Sequence, residues 1–161
     1  EYGNPLKFAA EALRADRDLV IAAVEQNGRA FQYAAAELKS DRQVLSAALR
    51  YAHEKRSVDV VSLVGEAISK ASMDLRADRD IIHDIVKASG WMLAYSSEVL
   101  QADLEIVLSA VGQRGFALKY AAKTLQSDAQ VVGTAVRQNG FALQFAAQGC
   151  RAEHELVLAA V

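Results

Sequence analysis

Residues 115–140 read GFALKYAAKTLQSDAQVVGTAVRQNG, and they contain one complete copy of a unit that recurs along the 161-residue chain. The glycine that opens the unit recurs with spacings of 25, 37, 25, 25 and 25 residues, at Gly3, Gly28, Gly65, Gly90, Gly115 and Gly140. A nearly constant spacing of this length is typical of repeat architectures, in which each copy is one supersecondary unit. The sequence therefore predicts six copies of a single structural unit, of which the last is incomplete.

Each copy is predicted to form two short helices. In the quoted copy, apolar residues recur at the three- and four-residue intervals of a helix face, namely Leu118, Ala121, Ala122 and Leu125. Asp128 then lies where an N-cap belongs, because its carboxylate can accept hydrogen bonds from the first turn of a new helix. The second helix carries the stripe Val131, Val132, Ala135 and Val136. We expect it to end at Asn139-Gly140, with the glycine in the left-handed conformation, and each helix to contain about 10 residues.

Three columns of equivalent residues define the unit. The N-cap column consists of Asp16, Asp41, Asp78, Asp103 and Asp128, with Glu153 in the sixth copy. One column of the first helix is predicted to be buried in every copy, because it shares a face with the alanine pairs; it consists of Leu13, Leu38, Leu75, Leu100, Leu125 and Cys150. The third column is aromatic in every copy but one, and it consists of Phe8, Tyr33, Lys70, Tyr95, Tyr120 and Phe145.

This repetition predicts an all-α solenoid of about six helix-turn-helix repeats, since stacked copies bury the faces that no copy can bury alone. The 31 alanines and the single proline favour helices. We assign one domain, residues 1–161, with copies at 3–27, 28–52, 65–89, 90–114, 115–139 and 140–161. Neither end carries the polar capping repeat of most solenoids. We therefore expect a piece of a longer chain, or ends that a partner covers.

The one irregularity is a 12-residue insert, HEKRSVDVVSLV, at residues 53–64. The helix before it could continue through Tyr51, or it could end near Arg56 with Ser57 capping a new helix; we favour the second. The apolar spacing of the insert continues into the next copy, so the first helix of that copy should be longer than the others. The same copy has Lys70 in the aromatic column, which would be tolerated if the insert leaves that place in solvent.

A family resemblance rests on the order of motifs within the unit. The pattern runs from a leucine to Asp with Arg, then Val-Leu-x-Ala-Val, then Gln-Asn-Gly and an aromatic-alanine helix, and residues 7–31 (KFAAEALRADRDLVIAAVEQNGRAF) and 115–141 carry it most clearly. The pattern resembles a family of short helical repeats catalogued as domain of unknown function 4116, which is widespread in unicellular eukaryotes and in some bacteria that live inside them. Nearly the whole chain resembles it, and residues 53–75 depart from it. The resemblance brings no catalytic or ligand residues, and it implies accessory or interaction modules in larger proteins and assemblies.

No pattern of residues indicates a catalytic, cofactor or metal site. The histidines occupy three different positions of the unit, and only His154 has a ligand partner at helical spacing, Cys150. Two ligands do not make a zinc site, and Cys150 lies in the leucine column, where we expect it to be buried. The recurring glycines stand singly, unlike those of a phosphate-binding loop. We therefore expect no enzyme, no cofactor and no metal.

Charge and hydropathy restrict the partners and the compartment. With 18 basic and 20 acidic residues the net charge is −2, which argues against a nucleic-acid-binding surface over the whole chain. No apolar run approaches the roughly 20 residues that span a bilayer, and no signal peptide is visible. We expect a soluble, intracellular protein, and the sequence does not specify the compartment. The sequence is compatible with peripheral association with a membrane complex but not with insertion into the membrane.

Two groups of residues are candidates for binding a partner. The residue after the opening glycine is aromatic in the second half of the chain, where it is Trp91, Phe116 and Phe141. These rings either pack between adjacent copies, with the rings four residues further on, or form an apolar ridge for a protein partner. The second candidate surface lies at the insert and comprises Lys55, Arg56 and Lys70.

Three arginines directly follow cap aspartates, at Arg17, Arg42 and Arg79. A cation in the first turn of a helix opposes the helix dipole, so another interaction should favour it. We expect salt bridges to acidic residues of a neighbouring copy.

Together these features predict a non-catalytic protein–protein interaction or scaffold module. The alternative is an accessory structural subunit of a large multi-subunit assembly, such as a membrane complex. An RNA-binding helical repeat would need a basic inner groove, and an enzyme would need a convergent polar constellation that breaks the repeat. Both are less favoured by this sequence.

Overall fold

The computed structural model describes residues 4–161, in which the regular elements are all helices and no strand is present. The chain divides into two compact units, Glu1–Arg76 and Ala77–Val161. The expectation of a single domain stays a prediction. Within the described residues, no helix combines the length and the apolar character needed to cross a membrane.

The first unit contains five α-helices and three 3₁₀ helices among its described residues. The α-helices are α1 (Glu11–Arg14), α2 (Arg17–Gln26), α3 (Arg42–Lys55), α4 (Val58–Lys70) and α5 (Met73–Arg76). The 3₁₀ helices are Pro5–Phe8, Gly28–Tyr33 and Leu38–Ser40. Its core is formed mainly by α2, α3, α4 and the 3₁₀ helix Gly28–Tyr33, which contact one another.

The second unit repeats the same alternation of 3₁₀ and α-helices. Its α-helices are α6 (Arg79–Ala88), α7 (Glu98–Gln101), α8 (Leu104–Gln113), α9 (Ala129–Gln138), α10 (Gln148–Arg151) and α11 (His154–Ala160). Its 3₁₀ helices are Gly90–Tyr95, Gly115–Tyr120, Leu125–Ser127 and Gly140–Phe145. The apolar stripes of α6, α8 and α9 are buried against these segments.

The second helix of the repeat begins where the sequence predicts it. Each of the five cap aspartates takes the N-cap position, and its Oδ1 atom accepts a hydrogen bond from a backbone N–H of the first turn. The donors lie two or three residues further on, at 2.8–3.2 Å, and are Leu19, Gln43, Val44, Asp80, Ile81, Glu105, Ile106 and Val131. Glu153 occupies the same position, but its side chain makes no capping bond.

The first helix of the repeat was predicted wrongly. In place of about 10 helical residues, most copies have a 3₁₀ helix of six residues, a short non-helical connection that begins with an extended residue, and a further short turn. The extended residue recurs in all six copies, with φ from −75° to −60° and ψ from 149° to 165°, and it is Ala9, Ala34, Ala71, Ser96, Ala121 or Ala146. Alanine favours a helix, so a tertiary interaction overrides its preference.

In three copies a backbone hydrogen bond joins this point to the preceding copy. The residue after the extended one donates its N–H to a carbonyl of the preceding copy: Ala35 to Arg14 at 2.9 Å, and in the second unit Ala122 to Gln101 and Ala147 to Gln126, both at 2.8 Å. An N–H used in this way cannot bond to the carbonyl four residues before it, so an α-helix cannot continue through this point.

The recurring glycine also has a different role from the one expected. No described glycine has a positive φ. Instead, a Cβ at Gly115 would lie 2.4 Å from the carbonyl oxygen of Ala135, and one at Gly90 would lie 2.3 Å from that of Ala110. The glycine therefore permits close contact between the start of a copy and the end of its second helix. The second helix ends at the residue that precedes the next glycine. The backbone of that residue is extended, as at Asn139 with φ −158°.

The leucine column is not buried in every copy, contrary to the prediction. Leu100 and Cys150 are buried, Leu13 is 48% exposed, and the other members, Leu38, Leu75 and Leu125, are half-buried. The 3₁₀ segments supply the core in their place, with residues such as Phe31, Leu93 and Leu118.

At the insert the structure has the favoured arrangement, in which one helix ends near Arg56 and a new helix begins after Ser57. Helix α3 continues through Tyr51 to Lys55, and α4 begins at Val58 and is longer than the first helices of the other copies. Arg56 separates them in the left-handed conformation, with φ 49°. Ser57 occupies the N-cap position of α4, but its side chain makes no capping hydrogen bond. Lys70 is exposed as expected, and its ammonium bonds to Glu66.

We predict that replacing Asp103 by alanine lowers the free energy of unfolding by about 0.5–2 kcal/mol, because two N–H groups of α8 lose their acceptor. Urea unfolding monitored by circular dichroism measures the change. Glu153→Ala is the matched control, since Glu153 holds the same repeat position without a capping bond. Equal effects of the two substitutions would contradict a capping role for Asp103.

We also predict that Gly115→Ala destabilises the chain by about 1–3 kcal/mol or more, because the added methyl group collides with backbone that cannot easily move. Gly149→Ala is the control. It lies in the short helix α10, where an added methyl group would have no neighbouring atom within 4 Å, and alanine there should be neutral or stabilising. Thermal melting of both variants tests the difference, and a Gly115→Ala protein as stable as the parent would refute the close contact.

Candidate functional site

An open groove of about 600 Å³ runs across the second unit, and aromatic rings line it. The rings come from the 3₁₀ helices Gly90–Tyr95, Gly115–Tyr120 and Gly140–Phe145, and they are Trp91, Phe116, Tyr120 and Phe145. Because a 3₁₀ helix opens each of these copies, equivalent ring positions come to lie along one edge. Polar residues complete the lining, among them Gln113, Arg114, Lys119, Gln138 and Asn139.

The rings of the groove pack edge-on. The centroids of Phe116 and Phe145, which belong to adjacent copies, lie 5.8 Å apart with the planes at 90°. Trp91 and Tyr95 pack in the same manner within one copy, with centroids 5.5 Å apart. Edge-to-face pairs of this kind are favourable. Even so, Phe116 remains 45% exposed, so the rings both hold the copies together and present apolar surface.

Phe141 behaves differently from the two rings with which it was grouped. It is 77% exposed and is not among the residues that line the groove. Its backbone N–H donates to Oδ1 of Asn139 at 3.0 Å, which holds the start of its 3₁₀ helix. The structure therefore brings Trp91 and Phe116 together in one groove and leaves Phe141 outside it.

A second groove, of about 550 Å³, adjoins the first and shares Lys119 and Phe145 with it. Its lining is polar and basic, with Lys119, Lys123 and Arg151, and it contains no carboxylate. The Lys119 ammonium lies 5.7 Å from the centre of the Tyr120 ring, and the Lys123 ammonium donates to Oε1 of Gln126 at 3.1 Å. The two grooves thus place aromatic rings beside exposed cations.

Sequence reasoning missed the two glutamines that support this surface. Gln126 is buried, and its side-chain amide donates to the carbonyls of Leu118, Lys119 and Ala121 at 3.0–3.2 Å. Gln101 serves the preceding copy in the same way, bonding to Leu93 and Ser96. These bonds add to the backbone bonds of the 3₁₀ segments, since the Leu118 carbonyl also accepts the Ala121 N–H and the Leu93 carbonyl accepts the Ser96 N–H, both at 3.2 Å. The signal was present, since every copy has an N–H donor at this position: Arg14, Lys39, Arg76, Gln101, Gln126 and Arg151.

The three basic residues proposed at the insert lie in the first unit. Lys55 ends α3 and Arg56 follows it, and both are exposed in the first unit, as is Lys70. A smaller groove of about 420 Å³ in that unit is lined by Arg29, Gln32, Asp59, Ser62, Leu63 and Glu66. Its arginine already pairs with Asp59. None of the three candidate basic residues lines it, so their role in binding stays a prediction.

Four overlapping segments of the chain match the family model described as domain of unknown function (DUF4116). They are residues 1–39, 16–54, 78–126 and 103–151, which together cover residues 1–54 and 78–151. The chain belongs to this family. Residues 55–77, which include most of the insert, lie between the matched parts, in agreement with the resemblance noted from the motifs. No curated protein and no solved structure matches the chain.

Elsewhere in this DUF4116 chain, arginines pair with acidic residues of the next copy. Arg17 lies 3.0 Å from the Asp41 carboxylate. Arg79 reaches both Asp103, at 3.1 Å, and Glu105, at 2.6 Å. These pairs agree with the salt bridges predicted for arginines that follow a cap, and they join one N-cap to the next.

The pairs lower the pKa of the cap carboxyls. Burial raises the pKa of Asp103, but hydrogen bonds from the Ile106 N–H and the Arg79 guanidinium outweigh it, so the pKa lies below its ordinary value. The pKa of Asp41 is lowered in the same way. Burial raises it, but hydrogen bonds from the Val44 and Gln43 N–H groups and from Arg17 lower it by more. In both cases the folded structure favours the ionised carboxylate.

The side chain of Cys150 is enclosed in the fold. Among residues 4–161, no group of three His, Cys, Asp or Glu side chains is placed to hold a metal ion. Cys150 is buried, and its thiol donates to the Ser127 carbonyl oxygen at 3.4 Å. Burial raises the pKa of this thiol, which lowers its reactivity.

We predict that acid destabilises the protein through these carboxyls. Their pKa is lower in the folded than in the unfolded chain, where it is about 3.9. The stabilisation is therefore complete above that value and is lost as the pH falls through the folded pKa, because the unfolded chain binds more protons. Arg79→Gln should lose less stability than the parent between about pH 6 and pH 3.

Urea unfolding at a series of pH values measures this dependence. Arg137→Gln serves as the control, because Arg137 bonds to the Thr134 hydroxyl and forms no ion pair within residues 4–161. An Arg79→Gln profile as steep as that of the parent would show that Arg79 does not lower the pKa of Asp103.

Proposed function

We propose that this chain is a non-catalytic protein-binding module, in which each unit is a short solenoid and the aromatic groove docks a segment of a partner protein. The observation that carries the proposal is the groove itself. Four rings from three successive copies line one continuous depression of about 600 Å³, and they are only partly buried. An apolar surface of this kind, rimmed by polar residues, is typical of interaction sites.

The size and the residue types of the groove suit a peptide segment. Binding pockets for ligands commonly measure about 300–1,000 Å³ and combine apolar walls with a few polar groups. Trp, Tyr and Arg dominate the binding energy of protein interfaces, and the lining contains Trp91, Tyr120 and Arg114. Because the rings already pack against one another, little conformational entropy is lost when a partner binds.

The regularity of the repeat supports the proposal. Within each unit, the same backbone hydrogen bond links consecutive copies, as between Gln126 and Ala147. Equivalent side chains of stacked copies then lie side by side, which is how repeat proteins build extended binding surfaces. The chemistry of the surface can change from copy to copy without disturbing the backbone that supports it.

Selection from a library of displayed random peptides tests the proposal, with the chain of 161 residues immobilised as the target. We expect peptides whose binding falls by about tenfold or more with Trp91→Ala or Phe116→Ala, since aromatic anchors commonly contribute about 2 kcal/mol or more. These substitutions should lower the free energy of unfolding by about 1–3 kcal/mol, less than for wholly buried rings. Circular dichroism at the binding temperature verifies that the variants are folded.

Val99→Ala is the matched control, because Val99 is 76% exposed in the same unit and lines neither groove. It should bind the selected peptides as the parent does. If no selected peptide distinguishes the folded Trp91 and Phe116 variants from this control, the aromatic groove is not a docking site and the proposal is wrong.

A further inference from the structure

Charge is segregated along this chain in a way that its net value of −2 conceals. Residues 1–105 carry 13 basic and 17 acidic residues, whereas residues 106–152 carry five basic residues and one acidic residue, a local net charge of +4. The five cations are Arg114, Lys119, Lys123, Arg137 and Arg151, and the one carboxylate is the cap Asp128. The excess of positive charge therefore lies in the part of the chain that forms the grooves.

These cations have no acidic partner in the described part of the fold. Arg17, Arg50 and Arg79 each pair with a carboxylate of a neighbouring copy. In contrast, within residues 4–161 no ion pair involves any of the five cations of residues 106–152. All five side chains are exposed. Their charge is available to a ligand.

Four of the five cations line the grooves. Arg114 and Lys119 border the aromatic groove, and Lys119, Lys123 and Arg151 border the basic one. No acidic residue lines either groove. Since Lys119 and Phe145 belong to both, a chain that enters one groove can continue into the other. Arg137 lies outside both linings.

We propose that the segment bound by this surface is an acidic stretch of a protein, with an apolar side chain in the aromatic groove and aspartate or glutamate carboxylates against Lys119, Lys123 and Arg151. This inference rests on the proposed function and adds the chemistry of the partner. Complementary charge steers association and excludes neutral or basic competitors. The apolar anchor supplies most of the affinity, since exposed charge pairs each contribute little.

A nucleic acid fits this surface less well. Proteins that bind nucleic acids usually have a strongly basic domain, whereas this chain has a pI of about 5.9. Binding to single strands also uses aromatic faces as stacking platforms. Here the Phe116 and Phe145 rings pack edge to face, so one ring directs its edge at the face of the other. An acidic peptide needs no open ring face, only an apolar contact and nearby cations.

The experiment uses the full chain and a displayed library of random peptides of about 16 residues, a length that spans an interface of standard size. We expect the selected peptides to be enriched in aspartate and glutamate relative to the unselected library. The triple substitution Lys119→Gln, Lys123→Gln and Arg151→Gln should weaken their binding by about tenfold, which corresponds to three exposed charge pairs. Raising the salt concentration should weaken binding to the parent and have less effect on the triple variant.

Arg137→Gln is the control for a general loss of positive charge, and it should leave binding within about twofold of the parent because Arg137 is outside the grooves. An oligouridylate of about 12 nucleotides, within the length that one binding fold covers, is the nucleic-acid probe. Its binding should be weaker than that of the selected peptides.

The outcomes separate the two proposals. Peptides that need Phe116 but are neutral or basic, or that bind the triple variant as well as the parent, would overturn the acidic partner and leave the docking groove intact. Equal weakening by Arg137→Gln and by the triple substitution would also overturn it, because the effect would then be one of net charge. Tighter binding of the oligouridylate would replace the acidic peptide with a nucleic acid. Absence of any peptide that depends on Trp91 or Phe116 would overturn the docking groove itself.

Discussion

In three copies the backbone N–H that follows the first extended residue bonds to a carbonyl of the preceding copy, and this bond links the first half of one copy to its neighbour. It is present from Ala35 to Arg14 in the first unit, and twice in the second unit, from Ala122 to Gln101 and from Ala147 to Gln126. In these copies the donor is not available to its own helix, and the first half of the copy is a 3₁₀ helix followed by a separate turn. The side-chain amide of Gln126 donates to carbonyls of this segment, including those of Leu118 and Ala121.

The same arrangement determines the groove. A six-residue 3₁₀ helix begins at each of Gly90, Gly115 and Gly140, and the ring that follows the glycine is placed at the rim of its copy. At Gly115 the lack of a side chain lets this segment lie against the Ala135 carbonyl of α9. A larger residue would move the 3₁₀ helix outward, and the edge-on contact of Phe116 with Phe145 depends on its position. Fold and binding surface therefore share one set of constraints.

Electrostatics divides the chain into a part that is internally paired and a part that is not. Where arginines follow cap aspartates, as at Arg17 and Arg79, each is neutralised by the next copy, and these pairs hold consecutive N-caps together. After the later caps an apolar residue takes the place of the arginine, at Leu104 and Ala129. Four of the five cations of residues 106–152 instead border the grooves. Arginines such as Arg17 and Arg79 therefore link consecutive copies through ion pairs. The cations that border the grooves are available to bind a ligand.

The sequence by itself determined the repeat, its period, the start of each second helix and the all-helical class. These features are local, since an N-cap needs only a carboxylate beside free N–H groups, and a helix stripe needs only regular spacing. The tertiary structure decided what the first half of each copy becomes. Ala121 and Ala122 favour a helix as residues, but a hydrogen bond to Gln101 in another copy outweighs that preference. It also decided that Leu13 is exposed, and that Phe116 joins a groove while Phe141 does not. Such outcomes depend on contacts between residues about 20 or more positions apart, which no local pattern encodes.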